Sequence, residues 1–278
     1  MCTLVVAFYP QTKTPLVIAS NRDENPTRPT SPWNIRQFKD DEYYHKTLKG
    51  VIPNGLSKDD PYYSELLDTI LPKVYCPLDD ILGGTWIGIN TAGVFCALTN
   101  WDLEENFHGR GLQSRGHVVL NSLKRCSIKD VVRYWCKLDA KNHKPFNVIA
   151  GNVNELYNLR CDNKELIITK LRAGVHISTG MGFNESVPRD LYIRQQLPKY
   201  AYDLSQPIRP DVLLELMSSH NCGIGSEDSI CVHDEEHRWE TRSTTLLIND
   251  EKSWVVNSKD GPACGRELYT STRIEIME

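Results

Sequence analysis

Two apolar runs on either side of a turn-forming stretch open the chain, and they restrict its fold more than any other feature. Thr3 to Phe8 is rich in β-branched and aromatic side chains, Pro10-Gln11-Thr12-Lys13-Thr14 carries turn chemistry, and Leu16 to Ser20 is apolar again. The pattern predicts an antiparallel hairpin. Folding that ribbon about Thr12 sets the start of its first strand beside the end of its second, so Cys2 faces Asn21-Arg22-Asp23-Glu24. A second hairpin is predicted from Thr85 to Ile89 and Val94 to Thr99 around the turn Asn90-Thr91-Ala92-Gly93, leaving Asn100 and Trp101 at a strand end.

The position of Cys2 has chemical consequences. A small second residue generally lets the initiator methionine be trimmed, which is expected to leave Cys2 with a thiol and a free α-amine. Such an amine titrates at about 7.7 to 8.0 and can take a thiol proton, while Arg22 would favour the thiolate and Asp23 would hold the ammonium. Asn100, aimed into the same site, would supply an oxyanion donor. The competing reading makes Cys2 a packing residue, the charged tetrad a solvated turn with a helix cap, and Asn100 the opening of a loop.

Composition narrows the function classes. The 278 residues carry a formal net charge of -4 with both signs interspersed, which predicts neither a nucleic-acid partner nor a basic membrane patch. No apolar run approaches the roughly 20 residues of a spanning helix, and the first residues lack a secretory or transit pattern, so a soluble cytoplasmic chain is expected. Nine cysteines without CxxC pairs or metal-like spacing read as reduced thiols and predict no metal site. Cys96, Cys136 and Cys231 stand among apolar neighbours and are expected to pack as small hydrophobes. His233-Asp234-Glu235-Glu236-His237 matches H-x-x-E-H but lacks helical surroundings, so an acidic surface turn is expected.

The remainder reads as scaffold. Ser127-Ile128-Lys129-Asp130 resembles a capping box before a helix at Val131 to Leu138, and Arg209-Pro210-Asp211 starts another at Val212 to Met217. Strands are predicted at Phe146 to Ala150, Glu155 to Leu159, Leu166 to Lys170, Thr244 to Ile248, Ser253 to Val256 and Leu268 to Ile274. No repeat or linker interrupts them, so one domain over 1–278 is expected, an α+β fold of two sheets flanked by helices.

Met1-Cys2-Thr3, the Asn21-Arg22-Asp23-Glu24 tetrad with Pro29, the block Gly83-Gly84-Thr85-Trp86-Ile87-Gly88, Ala97-Leu98-Thr99-Asn100, and Thr241-Arg242 before an apolar strand together resemble the NRDE family, also called the transport and Golgi organisation protein 2 family. The resemblance runs nearly end to end, with 38–80 as an inserted or variable stretch. That family in turn resembles the N-terminal nucleophile (Ntn) hydrolases, such as penicillin V acylase and bile salt hydrolase. The resemblance implies a four-layer αββα sandwich of two antiparallel sheets. It makes Cys2 the nucleophile, Asp23 the carboxylate near its amine, Asn100 the oxyanion donor and Arg242 a distal active-site arginine. Asn21, Arg22, Thr179 and Trp101 become candidate substrate-binding residues, with Thr179 standing where the hydrolases carry a second asparagine. The implied activity is amide hydrolysis or acyl transfer on an acyl-type small molecule, with no required cofactor. The alternative is a non-catalytic carrier of haem or acyl-CoA, with a mitochondrial or Golgi association.

Overall fold

The computed structural model of the protein describes residues 2–38, 43, 44, 56, 60–102, 112–220 and 229–277. The N-terminal hairpin forms from β1 (Thr3–Phe8) and β2 (Leu16–Glu24), with Thr3 opposite Asn21 and Phe8 opposite Leu16. The Asn21-Arg22-Asp23-Glu24 tetrad is therefore strand and not a solvated turn. Its backbone is paired on the far side too, because β13 (Trp239–Asn249) runs antiparallel along the whole of β2.

β3 (Thr30–Arg36), β4 (Val74–Asp79), β5 (Ile87–Asn90), β6 (Phe95–Asn100), β7 (Phe146–Gly151), β8 (Leu156–Cys161) and β9 (Leu166–Leu171) follow one another across a second antiparallel sheet in chain order. β10 (Gly174–Thr179), β11 (Gly182–Phe183), β12 (His233–Asp234), β14 (Ser253–Asp260) and β15 (Thr270–Glu275) complete the first sheet, in the order β11-β10-β1-β2-β13-β14-β15 with β12 on β13. β1 thus lies inside its sheet, between β10 and β2.

Strand alternation sorts the apolar side chains into layers. Leu4, Val6 and Ile18 of the first sheet meet Ile87, Phe95 and Ile149 of the second in the central core. The outer face of the second sheet packs on α2 (Arg115–Leu123) and α3 (Ile128–Trp135), which follow α1 (Pro61–Ile70) in the chain. Val5, Ala7, Val17 and Ala19, on the outer face of the first sheet, pack on α4 (Pro188–Gln196) and α5 (Pro210–Met217). The result is the four-layer αββα arrangement. A buried hydrogen bond of 2.6 Å between Thr99 Oγ1 and Ser178 Oγ crosses between the sheets.

Local signals account for several element ends. Ser127 Oγ accepts from the Asp130 amide at 3.2 Å, so α3 begins at Ile128, three residues before the predicted start. α3 buries Ile128, Val131 and Trp135, which places the next residue, Cys136, off that face; Cys136 is exposed and is not the packing residue its apolar neighbours predicted. β3 escaped prediction because it is polar, contains Pro32, and shifts register between Ser31 and Asn34. Much of 38–80 lies outside the described residues, but β4 at its end is an internal strand between β3 and β5. Among the described residues no helix is long and apolar enough to cross a membrane.

Gly84, in the Gly83-Gly84-Thr85 block, is explained by contact. A Cβ on Gly84 would lie 2.7 Å from the Gly116 carbonyl carbon, where Thr85 N donates to Gly116 O at 3.2 Å. Backbone cannot swing aside as a flexible side chain can, so Gly84→Ala should destabilise the protein by about 1–3 kcal/mol in urea denaturation. A midpoint equal to that of the wild type would disprove the close approach.

Candidate active site

All six residues of β1 are buried and hydrogen-bonded within the sheet, and Cys2 continues that strand. By alternation its side chain shares the face of Leu4 and Val6, looking between the sheets. It lines a cavity of about 330 Å³ walled by Arg22, Asp23 and Glu24 from the end of β2, Gly84 to Trp86, Leu98 and Asn100 from β6, and the start of α2 at Arg115. The thiol donates to the Asp23 carbonyl at 3.7 Å. The structure therefore brings Cys2, Arg22, Asp23 and Asn100 together.

Asp23 is held by the neighbouring strand. Thr241 Oγ1 donates to Asp23 Oδ1 at 2.7 Å, and Thr244 Oγ1 donates to Asn21 Oδ1 at 2.9 Å. These two threonines are three apart, so on a regular strand they would face opposite ways. A register shift between Thr241 and Ser243 makes Arg242 the extra residue of a bulge and returns both hydroxyls to one face. Arg189, fully buried on α4, sets its Nη1 3.9 Å from Asp23 Oδ2 and donates to Thr3 Oγ1 at 3.1 Å. No local pattern in the sequence marks Arg189 for this position.

Four predicted residues are placed elsewhere. Arg242 does not line the cavity; its Nη1 lies 3.2 Å from Glu240 Oε1 on its own strand, the bulge having given the place beside Asp23 to Thr241. Asn21 faces the helices, where its amide donates to Met217 O at 2.8 Å and Ile230 O at 2.9 Å. Thr179, at the end of β10, is buried and accepts from the Met181 amide at 3.3 Å. Trp101 turns into a separate cavity of about 210 Å³, with the Arg160 guanidinium 4.4 Å from its ring.

Several charges in the Cys2 cavity pair with one another. Arg28 grips Asp79 through two hydrogen bonds of 3.2 and 2.5 Å. Glu24 lies 3.7 Å from Arg22 and 3.6 Å from Arg28, and the Arg22 guanidinium sits 4.2 Å over the Trp86 ring. Arg115 and Lys144 also line the cavity; Arg115 Nη1 donates to the Pro145 carbonyl at 3.0 Å and feels the Asp102 carboxylate. The site thus offers two positive charges to an anionic group.

Burial, and then the Asp23 carboxylate, push the Cys2 thiol above its ordinary range, outweighing the opposite pull of Arg22. Arg22 favours the thiolate, as its charge predicts, but burial and the Asp23 carboxylate outweigh it. Burial also raises Asp23, against the attraction of Arg189 and the Thr241 hydrogen bond.

Two measurements follow from this geometry. Thr241→Val deletes the donor to Asp23 and the acceptor that holds the Val232 amide at 2.9 Å, so it should cost about 1–3 kcal/mol for each group left unsatisfied, whereas Thr241→Ser should retain most of the stability. Equal denaturation curves for the valine and serine variants would count against this anchor. Iodoacetamide labelling of Cys2, followed by peptide mass spectrometry, should keep accelerating above pH ~8.5, the ordinary thiol value, and Asp23→Asn should move the profile to lower pH by removing a neighbouring anion. A wild-type profile centred below that value contradicts the assignment.

No curated protein matches the sequence. Among solved structures, the chain is similar to penicillin V acylase from Agrobacterium tumefaciens, with 13% identity, TM-score 0.51, and 99% of this chain and 86% of that one covered. It is also similar to the Caenorhabditis elegans ortholog of N-acylethanolamine-hydrolyzing acid amidase, with 11% identity, TM-score 0.51, and 88% and 92% covered. At these identities the likeness is one of fold, the Ntn-hydrolase sandwich. Residues 68–258 match the family model described as Transport and Golgi organisation 2, and the chain belongs to that family.

Proposed function

We propose that this protein is a cysteine amidohydrolase or acyltransferase acting on an acyl-type small molecule, with Cys2 as the nucleophile after removal of Met1. The observation that carries this reading is the presence of Cys2, Asp23 and Asn100, far apart in sequence, on one cavity. In the reaction, the Cys2 α-amine takes the thiol proton as Sγ attacks the substrate carbonyl carbon. The oxyanion so formed accepts from the Asn100 amide, and the ammonium is stabilised by Asp23. Collapse breaks the C–N bond, the ammonium proton passes to the departing amine, and the acyl group remains on sulfur. Water, or an acceptor in acyl transfer, then attacks the thioester and restores the thiol.

The chemistry draws on no cofactor. Arg115 and Lys144 favour an acyl compound that also bears a carboxylate or phosphate. The fold relatives are, by name, an acylase and an amidase, and the same reaction type is what we assign here.

The test is to incubate the wild type with a mixed set of acyl amides and acyl-CoA thioesters and record intact mass. Loss of Met1 and an acyl adduct on Cys2 are expected. Cys2→Ala should abolish the adduct, and Asn100→Ala should slow turnover by about 10²–10³-fold while leaving substrate affinity nearly unchanged. An unacylated wild type, together with a Cys2→Ala variant that binds haem or acyl-CoA as well as the parent does, would replace the enzyme by a carrier using the same cavity.

A further inference from the structure

Four side chains that the chemistry at Cys2 does not use converge beside β12. His220 follows the end of α5, Cys231 and His233 flank Val232, and Cys264 lies in the loop between β14 and β15. Cys231 Sγ is 3.5 Å from Cys264 Sγ, and His233 Nε2 is 3.2 Å from Cys264 Sγ and 3.7 Å from Cys231 Sγ. One ligand atom from each of the four residues falls within 4.8 Å of all the others. A tetrahedral ion with bonds of about 2.3 Å to sulfur and about 2.0 Å to nitrogen has edges of roughly 3.8 Å between sulfurs and roughly 3.5 Å between sulfur and nitrogen. The observed separations have that size.

A second feature points the same way. His220 Nδ1 lies 3.1 Å from the Cys231 carbonyl, so that backbone oxygen orients the ring and leaves Nε2 as its available ligand atom, the arrangement an outer partner gives a metal-bound imidazole. We infer that His220, Cys231, His233 and Cys264 form a structural site for a zinc-class divalent ion, with two sulfur and two nitrogen ligands. Two thiolates and two neutral imidazoles balance the charge of such an ion, and the two thiol protons leave to solvent on binding. The spacing hid the site because its ligands come from three separate segments. Bound there, the ion pins these segments to the back of the catalytic strand pair. Val232 exchanges hydrogen bonds with Thr241, at 2.9 Å through the side chain and 3.0 Å through the backbone, and Thr241 holds Asp23.

The experiment uses the full chain, purified under reducing conditions, stripped of metal and titrated with Co²⁺. One equivalent should produce thiolate-to-cobalt charge transfer and tetrahedral d–d absorption, both erased by one equivalent of Zn²⁺. Cys264 and His233 are exposed, so Cys264→Ser and His233→Ala should fold, and each should weaken Zn²⁺ binding by more than the ~10–100-fold that loss of an outer partner typically costs. Cys136→Ser, at an exposed thiol elsewhere, should leave binding unchanged. Absence of charge transfer, unaltered affinity in the Cys264 and His233 variants, or a Cys231–Cys264 disulfide in protein alkylated at lysis would each overturn the site.

Discussion

A single interrupted strand pairing holds the candidate site in place. β13 lies along β2, and the bulge at Arg242 lets two threonines three apart meet two residues, Asn21 and Asp23, that are two apart. Asn21 then ties the strand pair to the end of α5 and to Ile230, while Asp23 reaches Arg189 on α4. Leaving a carboxylate among buried neighbours costs several kcal/mol when nothing compensates it. Here a hydroxyl and a guanidinium converge on it from two different layers, so the buried group is held next to the cavity.

The cavity wall separates charges that build the site from charges that remain for a ligand. The Arg28–Asp79 pair joins the segment after β2 to the end of β4, closing the gap between the sheets on one side. Glu24 lies between Arg22 and Arg28, and Trp86 covers the face of Arg22. These groups are spent on one another. Arg115 and Lys144 enter from the helical layer and its approach, and they give the cavity a sign that the chain's net charge of -4 conceals.

Much of the fold could be read in the sequence, and the reasons are local. The apolar alternation at Thr3 to Ser20 and the turn at Pro10 to Thr14 set the register that puts Cys2 beside the tetrad, and Ser127 and Asp130 mark a helix start by capping. The two-sheet sandwich follows because nearly every strand is amphipathic or apolar with turns between. The site was legible only where alternation and strand ends decide placement, as for Cys2, Arg22 and Asn100. Arg242 was misplaced because a bulge leaves no signature in composition, and Trp101 because the pairing with Pro145 continues past Asn100 and alternation turns its side chain to the opposite face. Asn21 belongs to the tetrad but points to the opposite side from Arg22, a difference of face that motif membership does not convey. Arg189 reaches Asp23 from 166 positions away, the distance from 23 to 189, and only the packed helix reveals it.

The interior position of β1 has a consequence for biosynthesis. Its hairpin partner emerges from the ribosome at once, but β10 follows some 170 residues later, and the hydroxyl that anchors Asp23 is 218 residues downstream. At about 5–20 residues per second, the first hairpin spends roughly ten seconds or more with both outer edges unpaired. The strand that Cys2 continues is thus made long before the partners that enclose it. Such long-range closure is slow, so the nascent chain passes through a stage with strand edges open to wrong partners before any pocket exists.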